Sequence, residues 1–277
     1  MNAQSLPSNI AIIGGGNIGV ALAHGLAASG LYKPSRVTIT RRMIHALEPL
    51  VQEGFQATSD NAAAVRNAGA VVLAVLPQQL VGVLQEIKPS LNPQQHTVIS
   101  LVSGVSISEI QKYAGPDVPV VRAMPNTAIA IRESMTCLAS FPQWTNALNI
   151  AEAIFDAVGK TLIINEEHMI PATALCACGI AFFLRSIRAA SQGGIEIGFH
   201  PDEAVLMAAQ TAKGAATLLL SGETHPESEI DKVTSPRGCT IAGLNQMEHE
   251  GFSSAMIKGI TTSAQKAAVL FVRPASE

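Results

Sequence analysis

The turn Gly14-Gly-Gly-Asn-Ile-Gly19 constrains this chain more than any other stretch. Ahead of it, Ile10-Ala-Ile-Ile13 is a continuous apolar run, the pattern of a strand buried on both faces. Behind it, Val20-Ala-Leu-Ala23 continues as a helix former should. Gly14, Gly16 and Gly19 therefore satisfy G-x-G-x-x-G between a strand and a helix. The first glycine permits the tight turn, the second lets backbone approach a pyrophosphate, and the third lets the helix pack close to the strand. Free N–H groups and the positive end of the helix dipole then favour a phosphate. The stretch predicts dinucleotide binding, with a glycine-rich structural turn as the alternative.

A second strand follows in Arg36-Val-Thr-Ile-Thr-Arg-Arg42. An NAD site places an acidic residue near the end of this strand to hold the ribose 2′-hydroxyl. Arg41 and Arg42 stand there instead, and guanidinium groups suit a 2′-phosphate. That favours NADP over NAD; two solvated arginines at a strand end are the plainer reading.

Further units repeat the alternation. Ala57-Thr-Ser-Asp-Asn61 leads into an alanine-rich helix, and Ala70-Val-Val-Leu-Ala-Val75 reads as a strand ending at Leu76-Pro77. Thr97 to Val102 is another strand, and Ser106-Ile-Ser-Glu109 has capping-box spacing. Val118 to Ala123 is a strand closed by Met124-Pro125-Asn126, and a last strand–helix–strand piece reaches Ile164. Strands alternating with helices predict an α/β Rossmann-type domain with a mainly parallel, doubly wound sheet over residues 1–165. Ligands in such sheets bind beyond the carboxyl ends of the strands, which places Leu76-Pro77 and Met124-Pro125-Asn126 beside the cofactor.

After Asn165 the strand pattern stops. Alanine-rich helices are expected at about Glu166 to Phe199, at Asp202 to Ser221 behind Pro201, and twice more after Ile230. Residues 166–277 are thus expected to form an all-α domain. With 48% hydrophobic and 14% charged residues and a mean hydropathy of +0.29, the chain is apolar. The long apolar helices are expected to pack on a second copy of themselves, giving a homodimer or a higher oligomer. The longest apolar run, Met169 to Leu184, contains Pro171 and falls short of the roughly 20 residues that span a bilayer. No membrane span is expected from it. Aromatic residues at 4% and a net charge of −3 argue against a nucleic-acid binder. Cys137, Cys176, Cys178 and Cys239 form no metal-binding spacing, so no metal is expected. Reduced cysteines and a polar start without a basic segment point to the cytoplasm.

One stretch between helices, Asp231-Lys-Val-Thr-Ser-Pro-Arg-Gly-Cys-Thr-Ile-Ala-Gly243, concentrates hydroxyls and a glycine ahead of a helix start at Thr240. Its backbone N–H groups could hold a carboxylate, or it could be an ordinary capped turn.

Taken together, the two halves resemble the pyrroline-5-carboxylate reductase family over nearly the whole chain. The resemblance rests on Ile12-Ile-Gly-Gly-Gly-Asn-Ile-Gly19, Asn61, Val75-Leu-Pro-Gln78, Val121-Arg-Ala-Met-Pro-Asn-Thr127 and the stretch Asp231 to Gly243. It implies reduction of a cyclic imine carboxylate to L-proline with NADPH or NADH. It implies a Rossmann domain and a helical domain that intertwines with a partner subunit. By the same resemblance Gly14, Gly16, Asn17, Ile18 and Gly19 would cradle the pyrophosphate, and Asn61 would reach the adenosine ribose. Val75, Leu76 and Pro77, with Met124, Pro125 and Asn126, would border the nicotinamide ribose. Ser235, Gly238, Cys239 and Thr240 would grip the substrate carboxylate, with the Thr240 hydroxyl near the imine nitrogen.

The chain departs from the family pattern in places. Leu76 replaces a lysine, Ala128 a proline, and Arg237 a glycine; Cys239 stands for a small or hydroxyl residue. Cys176-Ala-Cys-Gly-Ile-Ala-Phe182 replaces a stretch richer in hydroxyls, and Arg188 stands where an acid is common. These changes keep two alternatives open: a reductase of another cyclic imine or ketimine, and a non-catalytic NADP-binding dimer. The related β-hydroxyacid dehydrogenases need a helical lysine with an asparagine four residues on. Here that spacing occurs at Lys88 to Asn92, broken by Pro89.

Overall fold

The computed structural model describes residues 6–222 and 224–269. The chain divides into two compact units. Among the described residues the first comprises residues 6–178 and 263–269, and the second is Gly179–Thr262.

The first unit is built on an eight-stranded sheet of order β3-β2-β1-β4-β5-β6-β7-β8. β1 (Ile10–Ile13) lies between β2 (Val37–Thr40) and β4 (Ala70–Leu73), with β3 (Gln56–Thr58) at the edge beyond β2. β5 (Thr97–Ser100) and β6 (Val120–Met124) continue the parallel sheet past β4. Successive side chains of a strand point to opposite faces. Accordingly Ile10 and Ile12 enter one core while Ala11 and Ile13 enter the other. The first core is closed by Leu22, Ala23 and Leu26 of α1 (Asn17–Ala28), by Leu50 of α2 (Glu48–Gln52), and by Ala151, Ile154 and Phe155 of a later helix. The second is closed by Ala64 and Val65 of α3 (Asn61–Arg66), Leu80, Leu84 and Ile87 of α4 (Pro77–Ile87), and Ile107 and Ile110 of α5 (Ile107–Ala114). Helices on both faces make the sheet doubly wound, as the alternating pattern required.

β7 (Ser134–Ser140) runs antiparallel to β6, and β8 (Gly159–Ile163), after α6 (Thr145–Asp156), runs parallel to β7. The segment joining β6 to β7 holds only a 3₁₀ turn, Thr127–Ile131, too short for the crossover helix that a parallel neighbour needs.

Beyond β8 the chain turns helical: α7 (Met169–Ala172), a π-helical turn Thr173–Cys178, and α8 (Gly179–Glu196). Met169 and Ala172 pack with Met124, Cys137 and Ala139 of the sheet, so this stretch belongs to the first unit although the strand pattern has ended. The second unit holds α8, α9 (Pro201–Ser221), α10 (Pro226–Lys232), α11 (Cys239–His249) and most of α12 (Phe252–Ala268). α9 starts as its sequence predicts, with Pro201 in the first turn and a Glu203 carboxylate oxygen accepting from the His200 N–H at 3.1 Å. α8 and α9 pack closely: a methyl at Gly194 would lie 3.1 Å from Ala204 Cβ.

Two helical stretches, Glu166–Glu196 and Pro201–Ser221, are long and apolar enough to cross a membrane by length and composition. These helical stretches are longer than the run Met169 to Leu184 because the helix continues past Arg185; the helices of a soluble protein meet the same criterion, so the expectation of no membrane span stands as it was drawn.

Candidate functional site

The turn after β1 has the geometry its glycines suggest. Gly14 has φ +117°, and a Cβ there would collide with the Ala74 carbonyl. A Cβ at Gly19 would collide with the Gly14 carbonyl. Around Gly16, by contrast, nothing lies within 4 Å of the place a Cβ would occupy. Two glycines thus serve close packing, and the middle one keeps open space. α1 begins at that opening without a side-chain cap. The Val20 N–H is the first to turn back into the helix, reaching the Gly16 carbonyl at 2.9 Å. The N–H groups of Asn17, Ile18 and Gly19 belong to the unsatisfied first turn and face the opening.

The ends of β1 and β2 are tied together. Gly14 and Gly15 donate N–H groups to the Thr40 carbonyl at 3.3 and 2.7 Å. Arg41 donates from Nη1 to the Gly15 carbonyl at 3.1 Å, so its charge is fixed against the glycine turn, while Arg42 is exposed. Asn61 opens α3, whose N-cap is Asp60 with Oδ1 accepting from the Ala63 N–H at 2.8 Å. The Asn61 carboxamide accepts from the Thr40 hydroxyl at 2.6 Å and donates to Glu86 Oε2 at 2.9 Å. Val75 Cγ1 borders the space above Gly14. The structure therefore gathers the glycine turn, Arg41, Asn61 and Val75 at one edge of the sheet. It also brings in Glu86, which no local motif in the sequence pointed to.

Pro77 is the first residue of α4, and Leu76, preceding it, is 65% exposed. Met124 ends β6 and is buried, with Pro125 buried behind it. Asn126 is committed to the protein: its Oδ1 accepts from the Ala128 N–H at 3.0 Å, and its Nδ2 lies 3.4 Å from the Cys176 carbonyl. The Ser134 hydroxyl accepts from its backbone N–H at 3.1 Å. Behind this turn the Cys137 and Cys176 sulfurs lie 4.0 Å apart. The hydrogen bond from Cys137 holds the Cys176 thiol down at about 7, and the same contact pushes Cys137 up. On β6, Arg122 is buried and pairs with Glu166 Oε1 at 3.2 Å; that oxygen also accepts from the Ile107 N–H at 2.7 Å. Burial lowers the pKa of Arg122, and the Glu166 carboxylate opposes that shift. One side chain thus ties β6, the start of α5 and the stretch leading to α7, a link visible only in three dimensions.

The loop of the second unit forms a separate cluster. The Thr234 hydroxyl donates to the Ile230 carbonyl at 2.7 Å, and the Gly238 N–H to the Ser235 carbonyl at 2.9 Å. Gly238 caps α11, which has no side-chain cap, and a Cβ there would strike the Ser235 hydroxyl oxygen. Ser235, Cys239 and Thr240 are exposed around this helix start. Arg237 sits at φ +60°, a left-handed conformation in which glycine is the unstrained residue. The structure thus gives a reason why a glycine would be at home at this position.

Comparison with known proteins joins the two regions. Residues 166–270 match the family described as pyrroline-5-carboxylate reductase dimerisation, and residues 9–104 match that described as NADP oxidoreductase, coenzyme F420-dependent. Pyrroline-5-carboxylate reductase 2 of Dictyostelium discoideum is 50% identical over 93% of this chain and 91% of its own length. The chain belongs to the pyrroline-5-carboxylate reductase family. A second relative from the same organism, pyrroline-5-carboxylate reductase 1, is 53% identical over 96% of this chain, which spans about half (50%) of that relative's length. Among solved structures, a pyrroline-5-carboxylate reductase from Coxiella burnetii is similar with a TM-score of 0.87 and 33% identity, covering 96% of this chain and 99% of its own. As a pyrroline-5-carboxylate reductase family member the chain is an oxidoreductase, and its dimerisation stretch supports a homo-oligomer. The long helices with exposed apolar side chains, α8 and α9, lie within the stretch that matches the dimerisation family.

Proposed function

We propose that the chain reduces 1-pyrroline-5-carboxylate to L-proline with NADPH, as the last step of proline biosynthesis, in the cytoplasm. In this reading residues 1–165 carry the cofactor, and residues 166–277 bind the substrate and dimerise through their helices. The observation that carries it is a pair of helix starts, α1 and α11, each opening on a glycine and each lacking a side-chain cap. Such a start offers unsatisfied N–H groups and positive partial charge to an anion. The reaction has two anions to hold, a pyrophosphate and a substrate carboxylate.

The open space at Gly16 fits a dinucleotide phosphate, and Arg41 and Arg42 fit a 2′-phosphate. When bound, NADPH supplies the hydride. The backbone of Asn17, Ile18 and Gly19 holds the pyrophosphate, and Asn61 holds the adenosine ribose. Val75, Leu76 and Pro77, with Met124, Pro125 and Asn126, shape the nicotinamide end. Ser235, Gly238 and Cys239 fix the carboxylate, and the Thr240 hydroxyl orients the imine nitrogen. A protonated imine carbon is already electrophilic, so these residues work by orientation and charge rather than by strong acid catalysis.

The test is a panel of cyclic imine carboxylates given to the wild type and to Thr240→Ala. The five-membered ring is expected to turn over fastest, with Thr240→Ala at least tenfold slower. A six-membered ring clearly preferred would move the assignment to another imine, and an unimpaired Thr240→Ala would remove the site.

A further inference from the structure

The Thr40, Asn61 and Glu86 side chains form a hydrogen-bond chain whose direction is fixed at one end. Glu86 is exposed on α4, and its carboxylate can only accept, so the amide nitrogen of Asn61 must face it. The amide oxygen then faces Thr40, and the Thr40 hydroxyl must spend its proton on that oxygen. Thr40 is buried, so the groups left to meet a cofactor are those of the half-buried Asn61, the second lone pair of Oδ1 and a single N–H. Thr40 is the last residue of β2, the place where the adenosine ribose lies in a dinucleotide fold. Beside the strand end the pinned Asn61 oxygen offers an acceptor, and the Glu86 carboxylate adds a negative charge behind the same carboxamide. Acceptors suit a ribose 2′-hydroxyl, which can donate, and disfavour a 2′-phosphate, which has acceptor oxygens and negative charge. Arg41 and Arg42 pull the other way.

We propose that Glu86 is a positioning residue for cofactor choice, which acts through the Asn61 carboxamide to temper the preference for NADPH over NADH that the two arginines create. This rests on the cofactor reading above. Glutamine at position 86 can donate as well as accept, which frees the Asn61 amide to turn its nitrogen toward Thr40 and the sugar, and it removes a negative charge.

The experiment is a titration of the full-length protein with NADPH and with NADH, followed by the fluorescence of the reduced nicotinamide, for wild type, Glu86→Gln, Asn61→Ala and the double variant. Glu86→Gln is expected to shift the ratio of the two dissociation constants toward NADPH by about fivefold, the scale of one hydrogen bond. In the Asn61→Ala background the same change is expected to move the ratio by less than about twofold, because Glu86 has lost its intermediary. An unchanged ratio, equal weakening of both cofactors, or a full shift persisting without Asn61 would overturn the inference. Binding of neither cofactor by the wild type would overturn the cofactor reading itself, and this inference with it.

Discussion

The first unit closes its apolar surface on itself, and the second leaves much of it open. Ile10, Ile12, Leu22 and Leu26 have no exposed surface, whereas Phe183, Leu206 and Leu220 of α8 and α9 are 62%, 70% and 80% exposed. A doubly wound sheet has helices on both faces and needs nothing more. The helices of the second unit bury few of their own residues, and burial of each such large side chain is worth roughly 1.5–3 kcal/mol. A handful of them matches the whole stability of an ordinary domain, so an association covering this face would add stability of that order. The two units also differ in how their glycine-led helix starts are held. At the first, Gly14 and Gly19 are pinned against backbone while Gly16 stays open; the second is a loop on the surface.

The sharpest way to break this contrast is to charge the open face. Leu206→Glu combined with Leu220→Glu is expected to dissociate the oligomer completely at micromolar concentration in sedimentation velocity, with loss of helical circular dichroism. An oligomer unchanged by both charges would mean that this face is not the subunit contact.

Next in size are the glycines of the first turn, which separate packing from binding. Gly19→Ala forces a methyl into the Gly14 carbonyl and is expected to cost about 2–4 kcal/mol in chemical denaturation. Gly16→Ala has room for its methyl and is expected to change stability by less than about 1 kcal/mol while weakening NADPH binding at least tenfold. Equal stability losses at both positions would erase the distinction. The smallest effect belongs to the surface loop. Arg237→Gly relieves a left-handed arginine and is expected to raise stability by a few tenths to about 1 kcal/mol, read as a higher denaturation midpoint. A fall in stability would show that the Arg237 side chain makes a contact that outweighs the strain.

Much of this was legible in the chain because the signals were local. The run Ile10 to Ile13 followed by spaced glycines specifies β1, the turn and α1 without reference to the rest. Ser106 caps α5 as its spacing indicates, its hydroxyl accepting from the Glu109 N–H at 3.1 Å. What escaped was short or long-range. β3 is three residues, Gln56–Thr58, on an edge where no apolar run is needed. The antiparallel direction of β7 leaves no mark on its own residues. The helical turns after Asn165 pack with the first unit through Met169 and Ala172, which only the fold reveals. Glu86 meets Asn61 across 25 residues of sequence, and Arg122 meets Glu166 across 44. Residue types can nominate such partners, but the distances come only with the sheet.

The central claim is that these two unlike units together reduce an imine to L-proline. Its most direct test is to incubate the purified protein with NADPH and 1-pyrroline-5-carboxylate, following cofactor oxidation and, by chiral chromatography, the product. One L-proline is expected for each NADPH oxidised, with NADH the slower donor. Tight NADPH binding without any proline would contradict it.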